Sequence, residues 1–290
     1  MSPRFLLGAA VAALLFTGCD ASDVETADLD AEVTATVASA FALESDGALD
    51  EAAHAAIGMG YAELRGPAHG GDGFDRPNGS CESESSFDGT ATTVTLTCER
   101  ESPNGQRARS SERVATFAYL DAAGTAVESP EDAASLTFSI LSGSSQATSP
   151  RGSREITDIT TTYSVVGLDT ETVTVDGTSS RSGSYDVTRR DGSTRQADYT
   201  VTLVLEDVTG PAGRAAERAR FRGRWGAAAS GTATGVYRAT VTTTDADGAT
   251  STEDVERAFT IEFPVEREGR ARIRMGGRDH RADMASGGVL

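Results

Sequence analysis

The sequence predicts a mainly β fold of the α+β class: a large, curved antiparallel meander sheet or open barrel, with two N-terminal helices packed on it. From about residue 87 onward, apolar and polar residues alternate in runs that are typical of strands with one buried face. Asn-Gly and Asp-Gly pairs separate many of these runs and favour tight hairpins, because such turns need positive φ. Before residue 67, apolar residues recur at helical spacing instead.

Two helices are predicted before the sheet. Residues 30–44 place Val33, Val37 and Phe41 on one face, and residues 50–64 repeat this spacing. Each helix has only a narrow apolar stripe, so we expect each to lie against another element, namely the sheet.

Turns, a short helix and a loop separate the predicted strands. Ser129 and Pro130 have the order of an N-cap and a first helical residue, which predicts a short helix. Residues 142–153 are predicted to form a loop. Gly177 and Gly231 begin two similar stretches, which we interpret as one hairpin type used twice, with each glycine bending a long strand. Hairpin turns are predicted at residues 102–105, 121–124, 176–177, 191–192 and 247–248.

The first residues differ from everything that follows. Arg4 precedes an uncharged, Leu- and Ala-rich run from Phe5 to Phe16, and Gly18 then precedes Cys19. This order is that of a secretory signal, and its end resembles the lipobox of bacterial lipoproteins. The resemblance covers the signal and lipobox alone. It implies that residues 1–18 are removed as a signal peptide and that Cys19 becomes the lipid-modified N-terminus.

The resemblance to lipoproteins implies a cell-envelope protein that a lipid holds to a membrane. We expect residues 19–29 to be a flexible acidic tether, residues 30–66 a helical segment and residues 67–290 the antiparallel β domain. The outer membrane, on its periplasmic or surface side, is favoured over the inner one. The alternative is an ordinary secreted protein whose cysteine lies near the cleavage site by chance. The β domain is similar to uncharacterised β-rich bacterial envelope lipoproteins.

The charge of the chain excludes some partners. There is no lysine, and loss of Arg4 with the signal changes the net charge from −18 to −19. Such a surface repels nucleic-acid phosphates and anionic lipid headgroups, so no nucleic-acid partner is expected. No second apolar run approaches the length that spans a bilayer.

The two remaining cysteines form an even pair. Cys81 and Cys98 are predicted to form a disulfide, because an oxidising envelope favours one. A metal site is the weaker alternative, since neither a CxxC spacing nor a nearby histidine completes a ligand set. No cofactor is predicted.

Other candidate sites are weak. Residues 70–75 match the core of calcium-binding nonapeptide repeats, and residues 243–254 resemble an EF-hand loop, but a plain loop and a hairpin turn are the favoured interpretations. His54, His69 and His280 stand beside no recognisable nucleophile, and common hydrolase, phosphate-loop and Rossmann motifs are missing. We therefore assign no catalytic and no metal-ligating residue.

Alternating arginines are the candidate ligand-binding feature. At strand periodicity each set lines one face, which favours an anionic ligand such as an acidic glycan, a phosphate-bearing lipid or a partner's acidic patch. Trp225 borders the first set and is a candidate to stack on a sugar. The alternative is cross-strand pairing, in which Glu262 and Glu266 neutralise the second set. The candidate residues are Arg218, Arg220, Arg222, Arg224, Trp225, Arg270, Arg272 and Arg274.

The predicted function is that of a non-catalytic envelope lipoprotein, a binding or scaffold module on a membrane surface whose partner is a glycan, a lipid or an envelope protein. The alternatives are a periplasmic carrier of lipids or lipoproteins and a hydrolase with an unrecognised site. A scaffold requires helices that fill the apolar side of the sheet, whereas a carrier requires an unfilled apolar pocket there. An enzyme requires a histidine beside a serine or carboxylate in a cleft.

Overall fold

A computed structural model of the chain describes residues 21–42, 47–57, 79–102, 105–189, 191–213, 215–216, 225–264, 269–284 and 289–290. The helices are α1 (Ala21–Phe41), α2 (Ala48–Ile57) and the short α3 (Trp225–Ala228), with a 3-10 helix at Pro130–Asp132. The strands are β1 (Gly79–Phe87), β2 (Thr92–Glu101), β3 (Ala108–Leu120), β4 (Ala126–Val127), β5 (Ser135–Ser149), β6 (Gly152–Val166), β7 (Thr172–Thr188), β8 (Thr194–Pro211), β9 (Ser230–Thr244), β10 (Thr250–Phe263), β11 (Arg270–Met275) and β12 (Arg278–Asp283).

The twelve strands described form one antiparallel sheet that does not close, with α1 and α2 packed on it, as predicted. Strands follow one another in chain order from β1 to β12, except that β4 pairs only with β3. Turn chemistry explains this meander. The side chains of Asp121 and Asp245 each accept backbone N–H groups two and four residues later, and Gly192 and Gly248 supply positive φ.

One face of the sheet, here called the inner face, is covered by the helices. Alternate strand residues point to it and form a single core with the helices, in which Phe117, Phe138 and Tyr163 pack in a row across β3, β5 and β6. The ring of Phe41 on α1 packs against Phe263 at 5.1 Å. The opposite, outer face is polar and uncovered by any described element.

Both helices depart from their predicted form. α1 begins at Ala21, so residues 21–29, predicted as a tether, are helical. α2 ends at Ile57, and residues 58–66 lie outside the described part. All ten residues of α2 are buried, because it lies between α1, α3 and strands β6 to β8. Its many alanines allow this close approach on every side, which a narrow apolar stripe did not predict.

Two turn or loop predictions were wrong. Residues 142–153 belong to β5, β6 and the tight turn between them; apolar alternation is weak there, so the strands could not be recognised. Residues 176–177 lie inside β7, at a bulge where Gly177 has φ +146°. Gly231 of β9 has φ +152° and lies opposite a second irregularity, between Glu206 and Thr209 of β8, so both glycines stand at irregular points of the strand pairing. The short helix after Ser129 is confirmed, with its hydroxyl accepting from Glu131 N–H.

Candidate functional site

Only part of the predicted arginine surface lies in the described residues. Trp225 begins α3 and is completely buried, and its Nε1 donates to the Pro211 carbonyl at 3.3 Å. Its ring lies so close to Gly210 that a Cβ there would be 2.7 Å away. The prediction that Trp225 stacks on a sugar is therefore wrong, because the ring fills the core. Outside the described residues lie Cys19, Arg218, Arg220, Arg222 and Arg224.

The second arginine set lies on β11 and consists of Arg270, Arg272 and Arg274. Arg272 stands opposite Glu262 in the β10–β11 register, with its Nη1 3.5 Å from Oε2. Arg274 donates to Asp279 at 3.0 Å, and this bond is the main cause of the lowered pKa of the Asp279 carboxyl. Arg270 stands opposite Asp283 on β12. Cross-strand pairing therefore accounts for Arg272 and Arg274. The pairing of Arg272 with Glu262 agrees with the alternative, whereas Arg274 pairs with Asp279 of β12, which the alternative did not name.

The disulfide prediction is confirmed. Cys81 and Cys98 stand directly opposite each other on β1 and β2 and are bonded. Residues 243–254 form the β9–β10 hairpin, in which Asp245 caps the turn and Asp254 accepts the Thr240 hydroxyl, so they form no calcium loop. No three His, Cys, Asp or Glu side chains in the described ranges gather into a metal-binding group.

The histidines show no accessible catalytic arrangement in the part of the chain that is described. His54 lies on α2 with its Nε2 3.6 Å from Asp50 Oδ2, but both side chains are buried in the core. His280 lies on β12, near an edge of the sheet. His69, Glu266 and residues 70–75 lie outside the described residues.

The inner face holds charged contacts that the sequence did not reveal. Glu51 of α2 is completely buried and pairs with Arg181 of β7, which is also buried. Arg113 of β3 lies 3.9 Å from the same carboxylate. The hydroxyls of Thr161 and Ser179 donate to it as well. Glu51 thus joins α2 to β3, β6 and β7 through a buried network of charges and hydroxyl groups.

A second contact joins α1 to the inner face. Glu32 accepts from Arg189 at 2.6 Å, and Arg195 Nη1 lies 2.9 Å from its other carboxylate oxygen. Tyr185 donates to Glu32 at 3.5 Å, and burial followed by the Glu32 charge raises the pKa of Tyr185 to about 12. Two residues earlier, Asp30 pairs with Arg257 and Arg278.

These contacts follow one rule: the helices supply acids and the inner face supplies arginines. The sequence contains a signal for this, because Arg181 and Arg195 fall at inward positions of the alternation that also contains Tyr185 and Tyr199. A buried arginine is unusual unless it is paired, so an inward arginine predicts an acidic partner from a covering element. Sequence reasoning placed the functional arginines on other strands and missed this.

The outer face carries a groove of about 620 Å³ across β6 to β10. Two neighbouring cross-strand rows line it: Ser184, Asp198, Thr240 and Asp254 in one, and Ser182, Thr200, Arg238 and Glu256 in the other. Arg238 forms two 3.2 Å bonds with Glu256 and is thereby neutralised. The remaining carboxylates make the groove acidic and rich in hydroxyl groups, so it disfavours the anionic ligands predicted from the arginine sets.

Comparison with protein-family models, with curated proteins and with solved structures finds no match to this chain. Within the described residues, no helix is long and apolar enough to cross a membrane.

Proposed function

We propose that the chain is an envelope lipoprotein, anchored through Cys19, that acts as a non-catalytic binding or scaffold module with the outer face as its working surface. The observation that carries the binding or scaffold role is the asymmetry of the sheet, whereas the anchor rests on the lipobox resemblance that ends at Cys19. α1 and α2 pack on the apolar inner face, whereas no described element covers the outer face, a surface of Thr, Ser and acidic side chains with a groove. The chemistry of the groove favours a polar partner that is neutral or cationic.

The carrier alternative has less support. It needs an empty apolar cavity on the inner face, yet α2 occupies that space with every residue buried. The hydrolase alternative needs a substrate to reach a histidine, and the His54–Asp50 pair lies in the core.

Site-specific photo-crosslinking in intact cells tests the working surface. A photoreactive residue at Thr200, in the groove, should give a defined adduct, whereas one at Thr137, exposed on β5 outside the groove, should not. Asp198→Arg should lower the yield at Thr200. Equal yields at both positions, or none at Thr200, would refute the proposal.

The anchor is tested separately by mass spectrometry of the N-terminal peptide. Acyl mass is expected on Cys19 and should vanish in Cys19→Ser, with release of the protein from the membrane fraction. A free N-terminus elsewhere would remove the basis for an envelope lipoprotein.

A further inference from the structure

The carboxylate of Glu32 occupies a pocket that is strongly cationic without it. Arg189 and Arg195 contact its two oxygens at 2.6 and 2.9 Å. The Arg195 side chain is 1% exposed, whereas those of Glu32 and Arg189 are 25% and 21% exposed. Arg195 is therefore a buried cationic group at the bottom of the pocket, whereas the pocket is open to solvent beside Glu32 and Arg189.

One carboxylate does not use all the donors around it. The Tyr237 hydroxyl is buried beside that of Tyr185, with which it shares a side-chain hydrogen bond, and Glu32 is near enough to help raise its pKa. Arg154 adds a third guanidinium beside the tyrosines, donating to Tyr199 at 2.9 Å. Guanidinium groups and tyrosine hydroxyls thus surround the single carboxylate of Glu32, a set of donors that suits an oxyanion.

We propose that this pocket is an oxyanion-binding site, which α1 closes with its own Glu32 when no ligand is bound. The ligand group is a carboxylate or a phosphate, since paired guanidinium groups and phenol hydroxyls bind both. Its source is either a soluble anion or the phosphate of an envelope lipid. The site lies on the inner face and does not depend on the groove proposed above.

The geometry couples ligand binding to the release of the part of α1 that carries Glu32. Withdrawing Glu32 alone would leave Arg195 buried without a counter-charge, which is strongly unfavourable. An incoming anion removes that penalty and thereby favours release of the Glu32 turn. The contacts of Asp30 with Arg257 and of Ser39 with Arg154 oppose release, so the ligand must compete with them.

Calorimetric titration with sodium phosphate and with sodium acetate, at constant ionic strength set by sodium chloride, tests the site. Glu32→Gln should bind at least one of these anions tenfold or more tightly than the wild type, and adding Arg195→Gln should abolish the gain. Glu262→Gln is the matched control, because it removes the same charge beside Arg272, a part-exposed arginine outside both the pocket and the groove. No gain in Glu32→Gln, an equal gain in Glu262→Gln, or a gain that survives Arg195→Gln would overturn the proposal.

Hydrogen exchange on the unmodified chain gives a second test, should Glu32→Gln fail to fold. Saturating phosphate or acetate should speed exchange in residues 29–41 of α1 relative to chloride, and leave residues 48–57 of α2 unchanged. Vesicles of phosphatidylcholine with phosphatidic acid, against phosphatidylcholine alone, distinguish the sources. An effect of the acidic vesicles without one of free anions identifies a lipid phosphate, and the reverse identifies a soluble anion. No effect of any of them would refute the site.

Discussion

Glu51 carries a carboxylate into a part of the core that water does not reach. Arg181 and Arg113 compensate its charge, and the hydroxyls of Thr161 and Ser179 satisfy its lone pairs. The desolvation cost of such a pair largely offsets its attraction, so its net contribution to stability is small. Removing one partner is different, because the other charge then stays buried and unpaired.

Glu51→Gln should therefore lower the free energy of unfolding by about 3 kcal/mol, because Arg181 keeps its charge without a counter-ion. The double variant Glu51→Leu/Arg181→Met should recover most of this loss. Urea denaturation measures both. Glu256→Gln, beside the exposed Arg238, should cost less than about 1 kcal/mol. Equal losses in Glu51→Gln and Glu256→Gln would contradict this account.

Tyr185 is expected to make the stability of the fold decrease at alkaline pH. Burial, with the charge of Glu32, raises its pKa to about 12, above the ordinary value of 10.0. The folded state thus holds this proton more tightly than the unfolded state, so the resulting stability is complete below pH 10 and is lost as pH rises towards 12. Between pH 10 and pH 12 the wild type should lose more stability than Tyr185→Phe. Urea midpoints at pH 9 and pH 11 check this, and parallel losses would contradict it.

Residue patterns predicted some of these features and not others. The disulfide followed from the count of cysteines and from the expectation of an oxidising compartment, with no knowledge of the fold. The Glu51–Arg181 pair did not, because it joins a helix to a strand 130 residues away. Local alternation shows that Arg181 points inward, but it cannot say which acid covers it.

Among the elements, two Asp-Gly turns were predicted correctly, because their chemistry is local. Asp191-Gly192 and Asp247-Gly248 form the expected hairpins. Asp176-Gly177 has the same residue types but lies inside β7, where the carbonyl of Thr162 on the neighbouring strand leaves no room for a Cβ. The difference lies in the partner strand, which is remote in sequence, so residue type alone could not separate a bulge from a turn.

Gly177→Ala and Gly192→Ala should therefore have different costs. Both glycines have positive φ, and Gly192→Ala should lose about 1 kcal/mol from backbone strain alone, with open space around it. Gly177→Ala should lose about 2 kcal/mol more, because its Cβ would lie 2.1 Å from the Thr162 oxygen and β6 would have to shift. Thermal unfolding of the two variants measures the difference, and similar costs would show that β6 yields easily.

At the scale of the whole molecule, helices and sheet share one apolar core, from which we expect them to unfold as one cooperative unit. A single apolar core runs from Leu29 of α1 to Met284 after β12, and α2 lies at its centre. Neither helix could be buried without the sheet, and the inner face without the helices would expose both apolar side chains and unpaired arginines. The predicted architecture was correct at this scale, because amphipathic helices and a sheet with one apolar face can bury their apolar side chains against each other.

Leu49→Ala tests whether the helices and the sheet unfold together, since Leu49 is completely buried on α2. The variant should lose about 3 kcal/mol through the lost contacts and the cavity left behind. Trp225, the single tryptophan, lies in α3 beside α2 and reports on the helices by fluorescence, while circular dichroism reports on the sheet. Because both share one core, their urea midpoints should coincide in the wild type and fall together in Leu49→Ala.

Leu141→Ala, on an exposed part of β5, should move neither midpoint appreciably. A shift of the Trp225 signal alone would mean that the helices are a separable layer on an independently stable sheet.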